Sequence, residues 1–179
     1  MTNAARLEQR VNIVQGEFHV AESDELALTT VLGSCVAACI NDPLARVGGM
    51  NHFLLPGEES GKQARDRERY GVHLMELLVN GLMQLGARRD RLQAKLFGGA
   101  RVVPGLSDIG LKNGEFADRF LRYEGIAIVN KDLGGELGRR IQFWPASGRA
   151  RRSFIAAAEA IVAERPRAPA AGCGDVELF

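Results

Sequence analysis

The sequence predicts an α/β fold: one domain in which strands are mixed with about two main helices. Two features of its pattern point there. Short runs rich in Val, Thr and Ile, closed by Asn, Asp, Pro and Gly, recur along the first half of the chain, as strands between turns do. A leucine stripe at helical spacing stands between such runs, so helix and strand alternate instead of segregating. The length, 179 residues, is that of one domain able to close a core without staples.

Taken in order, Glu25–Leu32 (ELALTTVL) and Val36–Ile40 read as strands, and Asn41-Asp42-Pro43 as the turn after them. Val47–Leu55 (VGGMNHFLL), stopped by Pro56-Gly57, is a third. Glu58–Glu68 is polar throughout and reads as a loop. From Tyr70 to Leu85, Leu74, Leu77, Leu78, Leu82 and Leu85 build one apolar stripe of a helix, and Gly86 fits its C-terminal stop. Leu92–Phe97 is a short strand ending in Gly98-Gly99. A second helix is expected after Asn113 as N-cap, with Phe116, Phe120 and Leu121 on one face and Gly125 at its end. Ile126–Val129 (IAIV) is a continuous apolar run, the pattern of a strand buried on both faces. Arg140–Trp144 and Arg151–Ile155 form a terminal hairpin around Ser147-Gly148. The tail begins helix-like at Ala156, turns Pro/Ala/Arg-rich at Arg165–Ala171 and ends in GDVELF. The expected organisation is an N-terminal arm (1–15), a folded domain (16–160) and a flexible tail (161–179).

Composition narrows the function classes. Apolar residues make up 46% and charged residues 25%, as in a folded globular protein. With 23 basic against 22 acidic residues, no global field favours nucleic acid or an anionic membrane. The basic clusters at Arg65–Arg69, Arg88–Arg91 and Arg149–Arg152 sit beside acids or in turns and read as solvated faces. No run is apolar over a bilayer-spanning length, so no membrane insertion is expected. The start, MTNAARLEQR, lacks the order of a signal peptide, and three irregularly spaced cysteines make no disulfide framework. Reduced thiols and a cytoplasmic location are expected.

Three histidines and three cysteines leave few candidates for chemistry. Cys35 follows Gly33-Ser34 where a strand-like run breaks. Backbone N–H groups of such a turn favour a thiolate and can hold the oxyanion formed when it attacks an amide. His52 lies in the next strand-like run. If Leu28–Leu32 and Val36–Ile40 pair with that strand, its imidazole reaches the sulfur, the nucleophile–base pair of a thiol hydrolase. A hydroxyl or carboxylate is then wanted to fix the imidazole tautomer, and Thr29 and Thr30 are the nearby candidates. The bland alternative is an inert apolar thiol and a histidine with no chemical task. A zinc site from Cys35, Cys39, His52 and Cys173 is disfavoured, since on a strand Cys35 and Cys39 stand roughly 13 Å apart. Cys39 reads as a core thiol and Cys173 as a tail residue; His19 and His73 have weaker cases. Gly48-Gly49, Gly98-Gly99 and Gly134-Gly135 lack the context of a phosphate cradle and read as tight turns or close approaches, so no cofactor and no metal are expected.

The run TTVLGSCVAACINDP (Thr29 to Pro43) followed by GGMNHFLLP (Gly48 to Pro56) resembles the signature of the CheD family, chemoreceptor glutamine deamidases of bacterial chemotaxis. The resemblance continues through RYG (Arg69 to Gly71), MELLVNGLMQLGA (Met75 to Ala87), AKLFGGA (Ala94 to Ala100), IGLKN (Ile109 to Asn113), DLGG (Asp132 to Gly135) and the Phe143–Gly148 stretch. Leu74 stands where the family usually has Ala, and Lys112 where it usually has Arg. The resemblance implies an α/β sandwich similar to deamidating toxins, with the deamidase domain over 16–160. It implies Cys35 as nucleophile, His52 as base, Thr29 as third catalytic residue, and Gly33 and Ser34 in the oxyanion loop. The implied reaction is hydrolysis of receptor glutamines to glutamates through a Cys35 thioester, with esterase side activity. Methyl-accepting chemotaxis receptors are the implied protein substrate and a CheC-type phosphatase an implied partner. Two other classes stand beside it: a non-catalytic module docking a phosphatase or receptor, and a redox or metal protein using Cys35 and Cys39.

Overall fold

The computed structural model describes residues 9–55, 62–102 and 109–164. Cys173, the GDVELF terminus and the first residues of the polar stretch after Pro56 lie outside them. Among the described residues, nine strands form two sheets. The first has four strands in the order β1 (Gln9–Asn12), β3 (Leu26–Leu32), β8 (Gly138–Trp144), β9 (Arg149–Ile155). The second has five, β2 (Phe18–Ala21), β5 (Val47–Asn51), β4 (Val36–Asp42), β6 (Gln93–Gly98), β7 (Ala127–Leu133). Helices α1 (Lys62–Gln84) and α2 (Ile109–Tyr123) cover the five-stranded sheet, and the short α3 (Ala157–Glu164) packs on β3 and β8. The α/β sandwich expected from the sequence is therefore the observed architecture.

Period-two alternation divides the core in two. On β4, Val36, Ala38 and Ile40 face the helices and join Leu74, Leu78, Leu82, Phe116 and Leu121. The alternate residues Cys35, Ala37 and Cys39 face the other sheet and meet Leu28, Leu32, Ile141 and Phe143. β4 can bury both faces because it is central; all seven of its residues are buried. Each large aliphatic or aromatic side chain in these layers contributes roughly 1.5–3 kcal/mol by leaving water.

Both helix ends expected at glycine are found. Gly86 has φ +91°, and Ala87 N–H donates to Leu82 O at 3.0 Å. Gly125 has φ +68°, and Ile126 N–H donates to Leu121 O at 2.9 Å. Both are left-handed stops that glycine adopts without steric cost. The terminal hairpin is also present, β8 and β9 pairing antiparallel from Gly138↔Ile155 to Trp144↔Arg149.

Several expectations need correction. β3 does not pair with β4 or β5. It lies in the other sheet, between β1 and β8, so the chain changes sheets at Gly33-Ser34-Cys35. β1, inside the stretch assigned to an arm, pairs parallel with β3, and the following Ile13 is buried in the core between the sheets. Residues 62–68 of the expected loop belong to α1; their charges leave no apolar stripe to read. Asn113 is no cap but an internal, fully buried residue of α2. The IAIV run leads into an edge strand, paired with β6 alone and largely exposed, not one buried on both faces.

Candidate active site

The sheet-to-sheet crossing is held by hydrogen bonds to its carbonyls. Gly33 O accepts from Ala100 N–H at 2.8 Å, Ser34 O from Asn113 Nδ2 at 2.9 Å, and Cys35 O from Gly99 N–H at 2.8 Å. The Gly98-Gly99 pair after β6 therefore serves close backbone approach. A Cβ on Gly98 would stand 2.1 Å from Cys35 O, and one on Gly99 2.7 Å from Gly110 O. Gly110, on the first turn of α2, is hemmed in reciprocally by the carbonyls of Gly99 and Ala100. Behind this pair, Gly134 N–H donates to Gly98 O at 2.9 Å and Arg101 N–H to Gly135 O at 2.8 Å. Buried Arg139 ties that turn down, donating to Gly134 O at 2.7 Å and to Asp132 Oδ1 at 2.9 Å.

His52 reaches the same place from β5. Cys39 stands opposite Met50, and the bridge Val36↔Phe53 continues that register beyond the strand. Ala37 is then opposite His52 and Cys35 opposite Leu54. Cys35 and His52 are thus diagonal neighbours on one face, a spacing of about 7–8 Å between Cα atoms that an imidazole can span. Cys35 is 0% and His52 3% exposed.

A threonine meets His52 from the opposite sheet. Thr30 Oγ1 lies 2.8 Å from His52 Nδ1 and donates to Ile13 O at 2.7 Å. Ile13 O also lies 3.3 Å from Nδ1. A hydroxyl has one hydrogen, and here it goes to the carbonyl, which can only accept. Nδ1 is then the donor toward Thr30, which in a neutral imidazole leaves Nε2 as the acceptor nitrogen. Thr29 is on the other face of β3, where its hydroxyl donates to Val11 O at 3.4 Å. Of the two threonines, Thr30 meets the imidazole. The cause is which face of β3 packs against the five-stranded sheet, a matter of layering that two consecutive threonines do not reveal.

Asn113 reads as a cap in the sequence, and Gln15 carries no signal there. Asn113 links the crossing to the chain after His52, since its Oδ1 accepts from Leu55 N–H at 3.0 Å. Gln15 Oε1 accepts from the Cys35 thiol at 3.7 Å. Asn51, next to His52, accepts from Ala38 N–H at 3.0 Å. A polar residue inside an otherwise apolar run was the available clue for Asn51. Cys39 lies in the core between the sheets, where burial pushes its thiol pKa far above the ordinary range against a weaker opposing effect of Lys95. It is unsuited to nucleophilic work. His19 is half-buried on β2, and His73 is exposed on α1. Among the described residues no group of three or more His, Cys, Asp or Glu could hold a metal.

Residues 54–153 match the family model CheD, described as CheD chemotactic sensory transduction. The chain is 53% identical over 174 residues to the probable chemoreceptor glutamine deamidase CheD of Caulobacter sp. (strain K31), covering 95% of this chain and 93% of the relative. It is 52% identical over 176 residues to the protein of the same description from Sinorhizobium medicae (strain WSM419), covering 96% of each. A protein so described from Rhizobium rhizogenes (strain K84 / ATCC BAA-868) is 57% identical over 152 residues, covering 84% of this chain and 83% of the relative.

Proposed function

The chain belongs to the CheD family, and from that membership we propose that it deamidates specific glutamines of methyl-accepting chemotaxis receptors to glutamate, with Cys35 as nucleophile. The observation that carries the assignment of residues is the diagonal placement of Cys35 and His52 on one sheet face, with His52 Nδ1 turned to Thr30.

His52 Nε2 takes the proton of the Cys35 thiol, and the thiolate attacks the carboxamide carbon of the receptor glutamine. The C=O π electrons move onto oxygen, and backbone N–H groups of the Gly33–Cys35 crossing hold that oxyanion. Its collapse expels the amide nitrogen, which takes the proton from His52 and leaves as ammonia. The glutamyl thioester is then attacked by water, whose proton passes to His52. Collapse returns that proton to the Cys35 sulfur and leaves glutamate on the receptor. Thr30, rather than Thr29, is proposed as the group that holds the imidazole tautomer. The same thioester gives a methylated glutamate a route to esterase chemistry.

The reading carries a cytoplasmic location, where the thiol stays reduced, and a CheC-type phosphatase as a further partner. Among the described residues, no helix is long and apolar enough to cross a membrane. One observation favours the non-catalytic docking module, the complete burial of Cys35. The test is incubation of a receptor cytoplasmic fragment with wild type and Cys35→Ala, followed by peptide mass spectrometry and an ammonia assay. Conversion of particular glutamines by wild type alone supports the deamidase. Binding of receptor or phosphatase by both, with no conversion by either, supports the docking module.

A further inference from the structure

The chain carries a glutamine of its own against the candidate nucleophile. Glu17 N–H donates to Val14 O at 3.0 Å, closing a turn over Val14–Glu17. The third residue of that turn, Gly16, has φ +88°, the positive value a type II turn requires at that position. The turn is fastened to the backbone of His52 on both sides, Gly16 N–H donating to His52 O at 2.8 Å and His52 N–H to Glu17 O at 3.0 Å. Its second residue, Gln15, extends to the thiol, the Oε1–Sγ distance being 3.7 Å. Cys35 is fully buried, whereas Gln15 is exposed.

We propose that Gln15 is a substrate-mimicking cover, its carboxamide holding the place against Cys35 Sγ that the carboxamide of a receptor glutamine takes during catalysis. The inference rests on Cys35 being the nucleophile. The two carboxamides are the same functional group, so a site that accommodates one beside the sulfur accommodates the other. A thiol is a weak hydrogen-bond donor, which makes the contact easy to give up. The turn backbone is pinned while the side chain has three rotatable bonds. Opening is therefore a rotamer change of Gln15 and leaves His52 where it is. The cover selects for substrates: a glutamine presented on a docked receptor displaces Gln15, while a stray amide meets a closed site. It also lowers apparent affinity by the fraction of molecules standing open.

The test compares wild type, Gln15→Ala, Gln15→Asn and Cys35→Ala, all as full-length chains with a receptor cytoplasmic fragment. It reads kcat and KM for ammonia release, and the second-order rate of Cys35 alkylation by iodoacetamide. Removing the cover raises the alkylation rate and lowers KM by the same factor, about tenfold if the closed state outweighs the open one ten to one. Gln15→Asn, one methylene too short to reach the sulfur, behaves like Gln15→Ala. A fall in kcat of roughly a hundredfold with KM unchanged overturns the proposal, because Gln15 is then a donor to the oxyanion. A wild-type mass one dalton above that expected, absent on the Cys35→Ala background, also overturns it, since Gln15 is then consumed as a substrate. Unchanged alkylation and KM in both Gln15 variants, with Cys35 still required for deamidation, overturns the cover alone. Deamidation by Cys35→Ala overturns the nucleophile and the cover together.

Discussion

Thr30 and His52 come from different sheets and meet between them, Oγ1 to Nδ1 at 2.8 Å, with Ile13 O taking the hydroxyl hydrogen. The pair fixes the imidazole tautomer from across the core. Replacement of Thr30 by Val removes the acceptor for Nδ1–H while Ile13 O, at 3.3 Å, still offers a weaker one. A hydrogen bond to a group that becomes charged during the reaction is worth about 1.5–3 kcal/mol. Thr30→Val is therefore expected to lower kcat by roughly 10- to 100-fold. Thr29→Val, on the other face, should change kcat by less than about threefold. Steady-state ammonia release by the two variants decides between them; the reverse ranking would return the role to Thr29.

Gly98 has φ +110°, and a Cβ there would meet the carbonyl of Cys35 at 2.1 Å. The obstacle is backbone on both sides, so no side-chain rotamer relieves it. Gly98→Ala combines a left-handed strain of about 1–3 kcal/mol with displacement of the Cys35 carbonyl. The expected outcome is a lowered melting temperature and loss of selective alkylation at Cys35. Gly86→Ala meets nothing within 4 Å and bears only the conformational cost at φ +91°. It should lower the melting temperature less and leave Cys35 alkylation unchanged.

Much of this arrangement was legible in the sequence. β3 to β6, the body of α1 and β8 carry patterns whose period survives in the structure, because each buries a face, whereas β9 has no buried residue and is marked by the Ser147-Gly148 turn. β1 and β2 were not legible. They are four residues each, QRVN and FHVA, and exist as strands through pairing with β3 and β5. Cys35 and His52 stood out as reactive types beside turn and strand signals. Their third partner required knowing that the chain changes sheets at Gly33-Ser34, which decides whether Thr29 or Thr30 faces inward. Asn113 reads as a cap for a related reason: a polar residue before an apolar face resembles one, yet this one bonds outside its own helix, to Ser34 and Leu55.

Asp42 supplies a stability test away from the chemistry. Its buried carboxylate accepts from the N–H groups of Leu44, Ala45 and Arg88 and from Arg91 Nη2, the last at 2.7 Å. Burial alone would raise its pKa, but these hydrogen bonds together outweigh it and hold the carboxyl well below the usual range. In the unfolded chain the group takes up its proton near pH 4, whereas the folded protein resists until far lower. Its stabilisation is present above about pH 4 and is lost as the pH falls toward the folded value. Asp42→Ala leaves Arg91 and three backbone donors without this acceptor and should destabilise the fold by about 3 kcal/mol at neutral pH. Urea unfolding of both proteins at pH 7 and pH 3 checks this; the gap between them should narrow at the lower pH.

Asn113 gives a prediction that joins helix α2 to the nucleophile. Its amide nitrogen holds Ser34 O at 2.9 Å and its oxygen accepts Leu55 N–H at 3.0 Å. In a trans peptide the carbonyl of Ser34 and the N–H of Cys35 point in opposite directions. Holding the carbonyl toward α2 therefore turns the Cys35 N–H away from the helix, and that N–H belongs to the proposed oxyanion donors. Asn113→Asp keeps an acceptor for Leu55 but sets an oxygen against Ser34 O and places a charge where exposure is 0%. Asn113→Ala takes this partner from the buried Leu55 N–H, at about 1–3 kcal/mol, and from the half-buried Ser34 carbonyl, at less. Both variants should melt earlier. If the peptide plane matters for the oxyanion, kcat at a temperature where they remain folded falls roughly 10- to 100-fold while KM for the receptor fragment stays within about twofold. A melting shift with kcat unchanged would mean that Asn113 braces the fold and leaves the direction of the Cys35 N–H to its other neighbours.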